Sequence, residues 1–272
     1  ARYWLEETGM DGWRLDVPFK IPLDFWRAFR QVVKQVRPDA YLVGEIWREA
    51  GPWVEGVFDG VTNYRLRDLI LDYTLTTVLD GEDFGFEVSS LLAAHGAHAA
   101  GMLNLLGSHD TARILTLFKG DAARLNVALT ALMTLPGAPL VYYGDEVGLL
   151  GETDPDCRRC MPWDAAQRNA QVTADYRRLI ALRQAHPALR YGTPQTLAYF
   201  NGLYAYRMAY GADEAVVVLN AREGIGQFRL PLHSGSPAWR AASGGPLLTA
   251  VDGALEFDFI PAHSAQVWFA AQ

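Results

Sequence analysis

Three acidic residues, Asp16, Glu45 and Asp110, each close a short apolar run: DGWRLD (11–16), YLVGE (41–45) and MLNLLGSHD (102–110). Each has a chemically useful neighbour. Arg14 precedes Asp16 by two residues, so on an extended strand both side chains leave the same face and the guanidinium can keep the carboxylate ionised. Gly44 lets the backbone approach a ligand closely, and Trp47 places aromatic surface just beyond Glu45. Burial beside an indole raises a carboxyl pKa, as a general acid working near neutrality requires. His109 adjoins Asp110. Taken singly, the acids have structural explanations: an Arg14–Asp16 pair, an N-cap at Glu45, and an N-cap at Asp110 for a helix from Thr111. Taken together they suit covalent and acid/base work at a glycosidic bond, where one carboxylate attacks, a second transfers a proton and a third stabilises a cationic transition state.

Such groups need rigid supports, and strand ends provide them. Apolar β-type runs alternate with helical patterns, which predicts βα units and a parallel sheet. The expected elements are strand 11–16, helix 22–37 between Pro22 and Pro38, strands 40–45 and 57–63, and helices 64–79 and 84–97. Strand 102–107, helix 121–134, strand 139–143 and helix 173–185 follow. The opening ARYWLEETGMDGW lacks the layout of a signal peptide and reads as the last turns of a helix ending at Gly9. The count is five strands with their helices, not eight. Beyond Pro187, TLAYF, LYAYRMAY, AVVVLN, GQFRLPL, ALEFDF and AQVWFA are short alternating segments broken by Gly and Pro, the pattern of an antiparallel sandwich. The expected domains are therefore 1–187 and 188–272.

Half of the 272 residues are hydrophobic, ample for a large core. With 24 Lys and Arg against 31 Asp and Glu the formal charge is −7, and no basic stripe is present, which argues against nucleic acid as a partner. No apolar run is long enough to span a membrane. Cys157 and Cys160 are the only cysteines, so no disulfide framework is available. Their polar loop, TDPDCRRCMPWD, contains no second pair that would complete a metal site. The compartment stays open, with a cytoplasmic location favoured.

GWRLD (12–16), GEIW (44–47) and LLGSHDTAR (105–113), in that order, resemble three signature regions of the α-amylase family of glycoside hydrolases. PLVYYGDEVGLLGETDPDCRR (139–159) is similar to that family too. With FDGVTNY (58–64), its TDPDCRR loop looks most like the neopullulanase, cyclomaltodextrinase and maltogenic amylase branch. The resemblance implies the C-terminal five βα units of a (β/α)8 TIM barrel followed by an antiparallel β-sandwich domain. It also implies retaining hydrolysis of α-1,4 linkages in maltodextrins, cyclodextrins or pullulan. Asp16 would be the nucleophile, Glu45 the general acid/base and Asp110 the transition-state stabiliser. Arg14 would orient Asp16, and His109 would hydrogen-bond the sugar before the cleavage point. Trp47, Asp154 and Arg158 would contact substrate as well.

Departures from the branch pattern matter equally. Phe19 and Lys20 stand where the branch typically has Asn-Glu, on the acceptor side, and Cys160 stands where it usually has Pro. A transglycosylase or isomerase of the same family, or a catalytically silent glucan-binding fragment, are therefore the alternatives. The family's first signature region, with its Asp, Asn and His, is absent, so the missing N-terminal half of the barrel is expected from a preceding segment or a separate chain. The partners expected are a maltooligosaccharide or related α-glucan and a second copy in a homodimer. No residue demands a metal or other cofactor, so none is expected; the calcium sites that the resemblance brings with it elsewhere in the family could lie in the preceding part. Asp145 and Glu146 are expected to bond local backbone, and His95 with His98 to lie on a partly exposed helix face. Trp53, Tyr64 and Tyr142 are further aromatic candidates for sugar stacking.

Overall fold

The computed structural model describes residues 1–271, which form two compact units: residues 1–67, 90–105 and 137–140, and residues 68–89, 106–136 and 141 onward. In the first unit, helix α1 (Arg2–Thr8) ends at Gly9, whose left-handed backbone (φ 65°) is the usual helix-terminating conformation. Then come β1 (Gly12–Leu15), α2 (Leu23–Val36), β2 (Tyr41–Gly44), α3 (Gly51–Val54) and β3 (Gly60–Val61). Helices α4 (Tyr64–Thr74) and α5 (Gly81–His95), whose residues 68–74 and 81–89 belong to the second unit, precede β4 (Leu103–Leu105) in the chain, and β5 is Ala138–Leu140.

All pairings among these strands are parallel. Gly12 to Leu15 of β1 lie opposite Tyr41 to Gly44 of β2, β2 pairs with β3, and β4 pairs with β5. A parallel bridge from Thr62 to Leu103 links the two sets. Leu42 and Val43 point to opposite faces of β2 and are both buried, as in a sheet covered on each side. Trp26, Phe29, Val33 and Val36 recur at helical spacing on α2 and share a core cluster with Leu42, Phe58, Val61 and Met102.

The strand expected at 57–63 contracts to Gly60–Val61. Asp59 keeps its own N–H on the Leu42 carbonyl at 2.8 Å, but its carboxylate accepts the Leu42 N–H at 2.8 Å and pairs with Arg30 at 2.8 Å and Lys34 at 2.9 Å, so a side chain stands in for one backbone acceptor of the ladder. Helix α5 starts three residues earlier than expected because Asp80 accepts the Glu82 and Asp83 N–H groups, both at 2.9 Å.

The second unit contains α6 (Ile114–Leu117), α7 (Ala122–Thr134), α8 (Ala170–Ala185), capped by Asn169, and α9 (Pro187–Tyr191). The remaining strands are β6 (Gln195–Phe200), β7 (Leu203–Tyr210), β8 (Asp213–Asn220), β9 (Phe228–Pro231), β10 (Ala238–Ala241), β11 (Leu247–Thr249), β12 (Ala254–Phe257) and β13 (Ser264–Ala270). Six of them form an antiparallel sheet in the order β11-β10-β13-β8-β7-β6, and β12 pairs antiparallel with β9. Leu203, Val216, Val218 and Trp239 of the large sheet share a core with Leu230, Leu255 and Phe257 of the small one. Tyr204 and Tyr206, also on β7, are buried as well. Phe84 of α5 meets the Tyr204 ring edge-on at 5.6 Å, and Thr134 of α7 hydrogen-bonds the Tyr206 hydroxyl. Among the described residues no helix is long and apolar enough to cross a membrane.

Candidate active site

Asp16 and Glu45 directly follow the adjacent parallel strands β1 and β2, so both carboxylates emerge at strand C-terminal ends. Arg14 serves both. Its Nη1 donates to Asp16 Oδ1, and its Nη2 lies 2.8 Å from Glu45 Oε1. Glu45 is only 4% exposed, whereas the Asp16 side chain is 73% exposed. The second Glu45 oxygen accepts the Val17 N–H at 3.2 Å. Val17 has φ 42°, a strained conformation for a β-branched residue, adopted where its N–H meets the acid. A Cβ on Gly44 would stand 2.5 Å from the Phe58 ring, so glycine is what admits this packing before Glu45.

The surroundings of this pair are aromatic. Trp47 stacks on Tyr64 with centroids 3.8 Å apart and planes 9° apart; Tyr64 is buried while Trp47 keeps 42% of its surface exposed. Phe19 and Lys20 are exposed on the one-turn 3-10 segment Pro18–Lys20. A cavity of about 480 Å³ is lined by Phe19, Ile46, Trp47, Arg48, Glu49 and Trp53. Trp53 itself lies parallel to Phe58.

In the second unit, Asp110 sits in a turn in which the Ser108 N–H donates to Thr111 Oγ1 at 3.0 Å and the Asp110 N–H to Ser108 Oγ at 3.2 Å. One Asp110 oxygen lies 3.2 Å from His109 Nε2 and the other 3.3 Å from Arg158 Nη2. Arg158 Nε donates to His109 O at 3.0 Å and lies 2.9 Å from Asp154 Oδ1. His109, Asp110, Asp154 and Arg158 thus form one cluster, as Arg14, Asp16 and Glu45 form another. The helix-cap explanations for the acids do not hold, because α3 starts at Gly51 and α6 at Ile114.

One expectation is corrected. His95 is 5% exposed and lies on the buried stripe of Phe84, Val88 and Leu91 along α5; burial holds its pKa below the ordinary value despite the opposing field of Glu49. Asp145 is buried and paired with Arg113 at 3.1 Å, a partner 32 residues away along the chain. Arg113 is the residue that sequence reasoning left without a role; a charge inside the apolar stretch TARILTLF was its signal. Tyr142 lies against the Arg113 guanidinium, whose carbon is 4.0 Å from the ring centroid. Cys157 is buried with its thiol donating to His109 O at 3.2 Å, Cys160 is exposed, and both are free.

Parallel strands that end in clustered carboxylates, with an antiparallel sheet at the C-terminal end, define a fold suited to cleaving sugar linkages. The model of the alpha amylase catalytic domain matches residues 1–192, and the chain belongs to that family of glycoside hydrolases. Among curated relatives, a cyclomaltodextrinase of Bacillus sp is 46% identical over 224 residues, covering 81% of this chain and 40% of the relative. Neopullulanase 2 of Thermoactinomyces vulgaris is 37% identical, covering 98% of this chain and 46% of the relative. The chain therefore spans less than half the length of these relatives. A solved cyclomaltodextrinase superposes with a TM-score of 0.92 at 38% identity, covering 98% of this chain and 47% of that one. The ligand-free cyclic alpha-maltosyl-(1→6)-maltose hydrolase of Arthrobacter globiformis gives 0.85 at 36% identity, covering 99% and 58%.

Proposed function

We propose that this chain supplies strands four to eight, as five βα units, of the (β/α)8 barrel of a retaining α-glucan hydrolase. Its substrates would be maltodextrins, cyclodextrins or pullulan. The names of the relatives support the substrate class, and the parallel order of β1 to β5 supports the barrel. The observation that carries the chemistry is the Arg14 guanidinium shared by Asp16 and Glu45, which holds two carboxylates close together at adjacent strand ends.

In this mechanism Asp16 attacks the anomeric carbon while Glu45 gives its proton to the departing glycosidic oxygen, leaving a glycosyl ester on Asp16. Glu45 then takes a proton from water, whose oxygen displaces Asp16 and restores the original configuration. Asp110 stabilises the positive charge that develops on the sugar, and His109 hydrogen-bonds a sugar hydroxyl. NMR of fresh maltotriose digests by the full-length enzyme should show the α-anomer first, and Asp16→Asn should lower turnover roughly 10⁴-fold or more. Near-normal turnover by that variant would sink the assignment.

A second reading, transfer of the glycosyl group to another sugar, is favoured by one observation: the aromatic cavity that Phe19, Trp47 and Trp53 line beside Glu45. An acceptor sugar stacked there would compete with water for the ester on Asp16. Longer or rearranged oligosaccharides as the main products from maltotriose would select this reading over hydrolysis.

A further inference from the structure

We propose that Arg113 and Tyr143 form a clamp that positions Arg158 against Asp110; the proposal rests on the reading of Asp110 as a carboxylate of the reaction centre. The key relation is which carbonyls are held. Arg113 Nε donates to the carbonyl of Cys157 at 2.7 Å, and the Tyr143 hydroxyl donates to the carbonyl of Arg159 at 2.8 Å. These carbonyls flank Arg158 on either side. Arg113 Nη1 donates in turn to the Tyr143 carbonyl, which joins the two holding groups into one device.

Held in this way, Arg158 reaches back to the His109 carbonyl at 3.0 Å and to Asp110 at 3.3 Å. The base of the device is rigid. Arg113 is fully buried, its guanidinium carbon lies 4.0 Å from the Tyr142 ring centroid and 4.6 Å from that of Tyr143, and its charge is balanced by buried Asp145. Asp145 in turn packs against Gly107, where a Cβ would come within 2.5 Å of its carboxylate, directly under the turn that carries His109 and Asp110. One buried fork therefore sets the loop bearing Arg158 relative to the turn bearing Asp110. An apolar side chain would fill the same volume without desolvating a charge, and Arg113 Nη2 has no hydrogen-bond partner among the described residues. Geometry rather than stability accounts for that cost. Arg113 and Tyr143 are positioning residues, because they act through Arg158.

The test is a pair of mutant cycles in the full-length enzyme, with kcat and KM measured on maltotriose and thermal midpoints alongside. Tyr143→Phe keeps the ring and removes only the hydroxyl. Arg113→Lys keeps the charge opposite Asp145 and removes the fork. Each is expected to lower kcat/KM on the order of tenfold, with the midpoint moving by only a few degrees, and each loss should vanish in an Arg158→Ala background. Losses that instead multiply with that of Arg158→Ala would overturn the clamp, as would a Tyr143→Phe enzyme with wild-type kcat and KM. If Arg113→Lys does not fold, the Tyr143→Phe cycle decides alone. A crystal structure of Tyr143→Phe gives a readout free of activity: Arg158 should leave Asp110, and an unmoved pair refutes the clamp even if the wild type proves inert toward α-glucans. Inertness of the wild type would by itself refute only the hydrolase reading.

Discussion

Arg14 and Glu45 meet across the β1–β2 pair, Nη2 to Oε1 at 2.8 Å, so the guanidinium beside the exposed Asp16 also holds the buried end of the second acid. Lysine in its place would present one compact charge and could not bridge both carboxylates through separate nitrogens. Arg14→Lys in the full-length enzyme is expected to lower kcat on maltotriose about a hundredfold, with KM changing far less, because both reacting groups lose their register. Steady-state kinetics checks this; a kcat within about threefold of wild type would show that the bridge does not set the geometry.

The Trp47–Tyr64 stack gives a different expectation. Tyr64 is buried and fixes the ring above it, leaving a large flat face of Trp47 open to the cavity. Trp47→Ala should raise KM for maltooligosaccharides by roughly tenfold, as a preorganised stacking surface is lost, and should cost about 1 kcal/mol of stability from the broken aromatic pair. Titration with a slowly hydrolysed oligosaccharide, paired with urea unfolding, separates the two effects. Unchanged affinity would assign Trp47 to packing alone.

Asp59 sets a pH dependence. Burial by itself would raise its carboxyl pKa, but hydrogen bonds from Lys34, the Leu42 N–H and Arg30, with the Arg30 charge, more than offset this and leave it below 3.8. For a carboxyl lowered in the folded state, the linked stability is complete above the unfolded value and disappears as pH falls through the folded one. Asp59→Asn should therefore be less stable by about 2 kcal/mol in neutral solution and equally so near pH 5, with the deficit shrinking toward pH 3. Urea midpoints at the three pH values measure it, and a deficit that stays constant to the lowest pH would contradict the ion-pair account.

Sequence alone made β1 and β2 legible because their apolar runs stop at Asp16 and Glu45. It misjudged β3 because the Asp59 carboxylate is satisfied by Leu42, Arg30 and Lys34, partners from 17 to 29 residues away that no local pattern reveals. The small residues around His95 suggest a partly exposed helix face, although its spacing from Phe84, Val88 and Leu91 puts it on the inner stripe. The acids and their immediate neighbours could be named because strand ends concentrate them in short motifs. Arg113 received no role because its work depends on carbonyls at positions 143 and 157, which become neighbours only in the folded chain.

Those long-range contacts reach the C-terminal sheet as well, through Tyr73. It is wholly buried on α4, stacks on Phe84 with centroids 4.4 Å apart, and directs its hydroxyl to the carbonyls of Gly202 at 2.7 Å and Leu219 at 3.0 Å. These two carbonyls lie immediately before β7 and near the end of β8, so one hydroxyl ties a helix to two strands of the antiparallel sheet. Tyr73→Phe preserves the stack and leaves both acceptors without this donor, at an expected cost of about 2 kcal/mol and a midpoint lower by several degrees. Hydrogen exchange localises the loss: the amides of β7 and β8 should exchange faster in the variant, since the hydroxyl is the polar link from α4 to their carbonyls. Unaltered protection of both strands would mean that apolar packing alone seats the sheet.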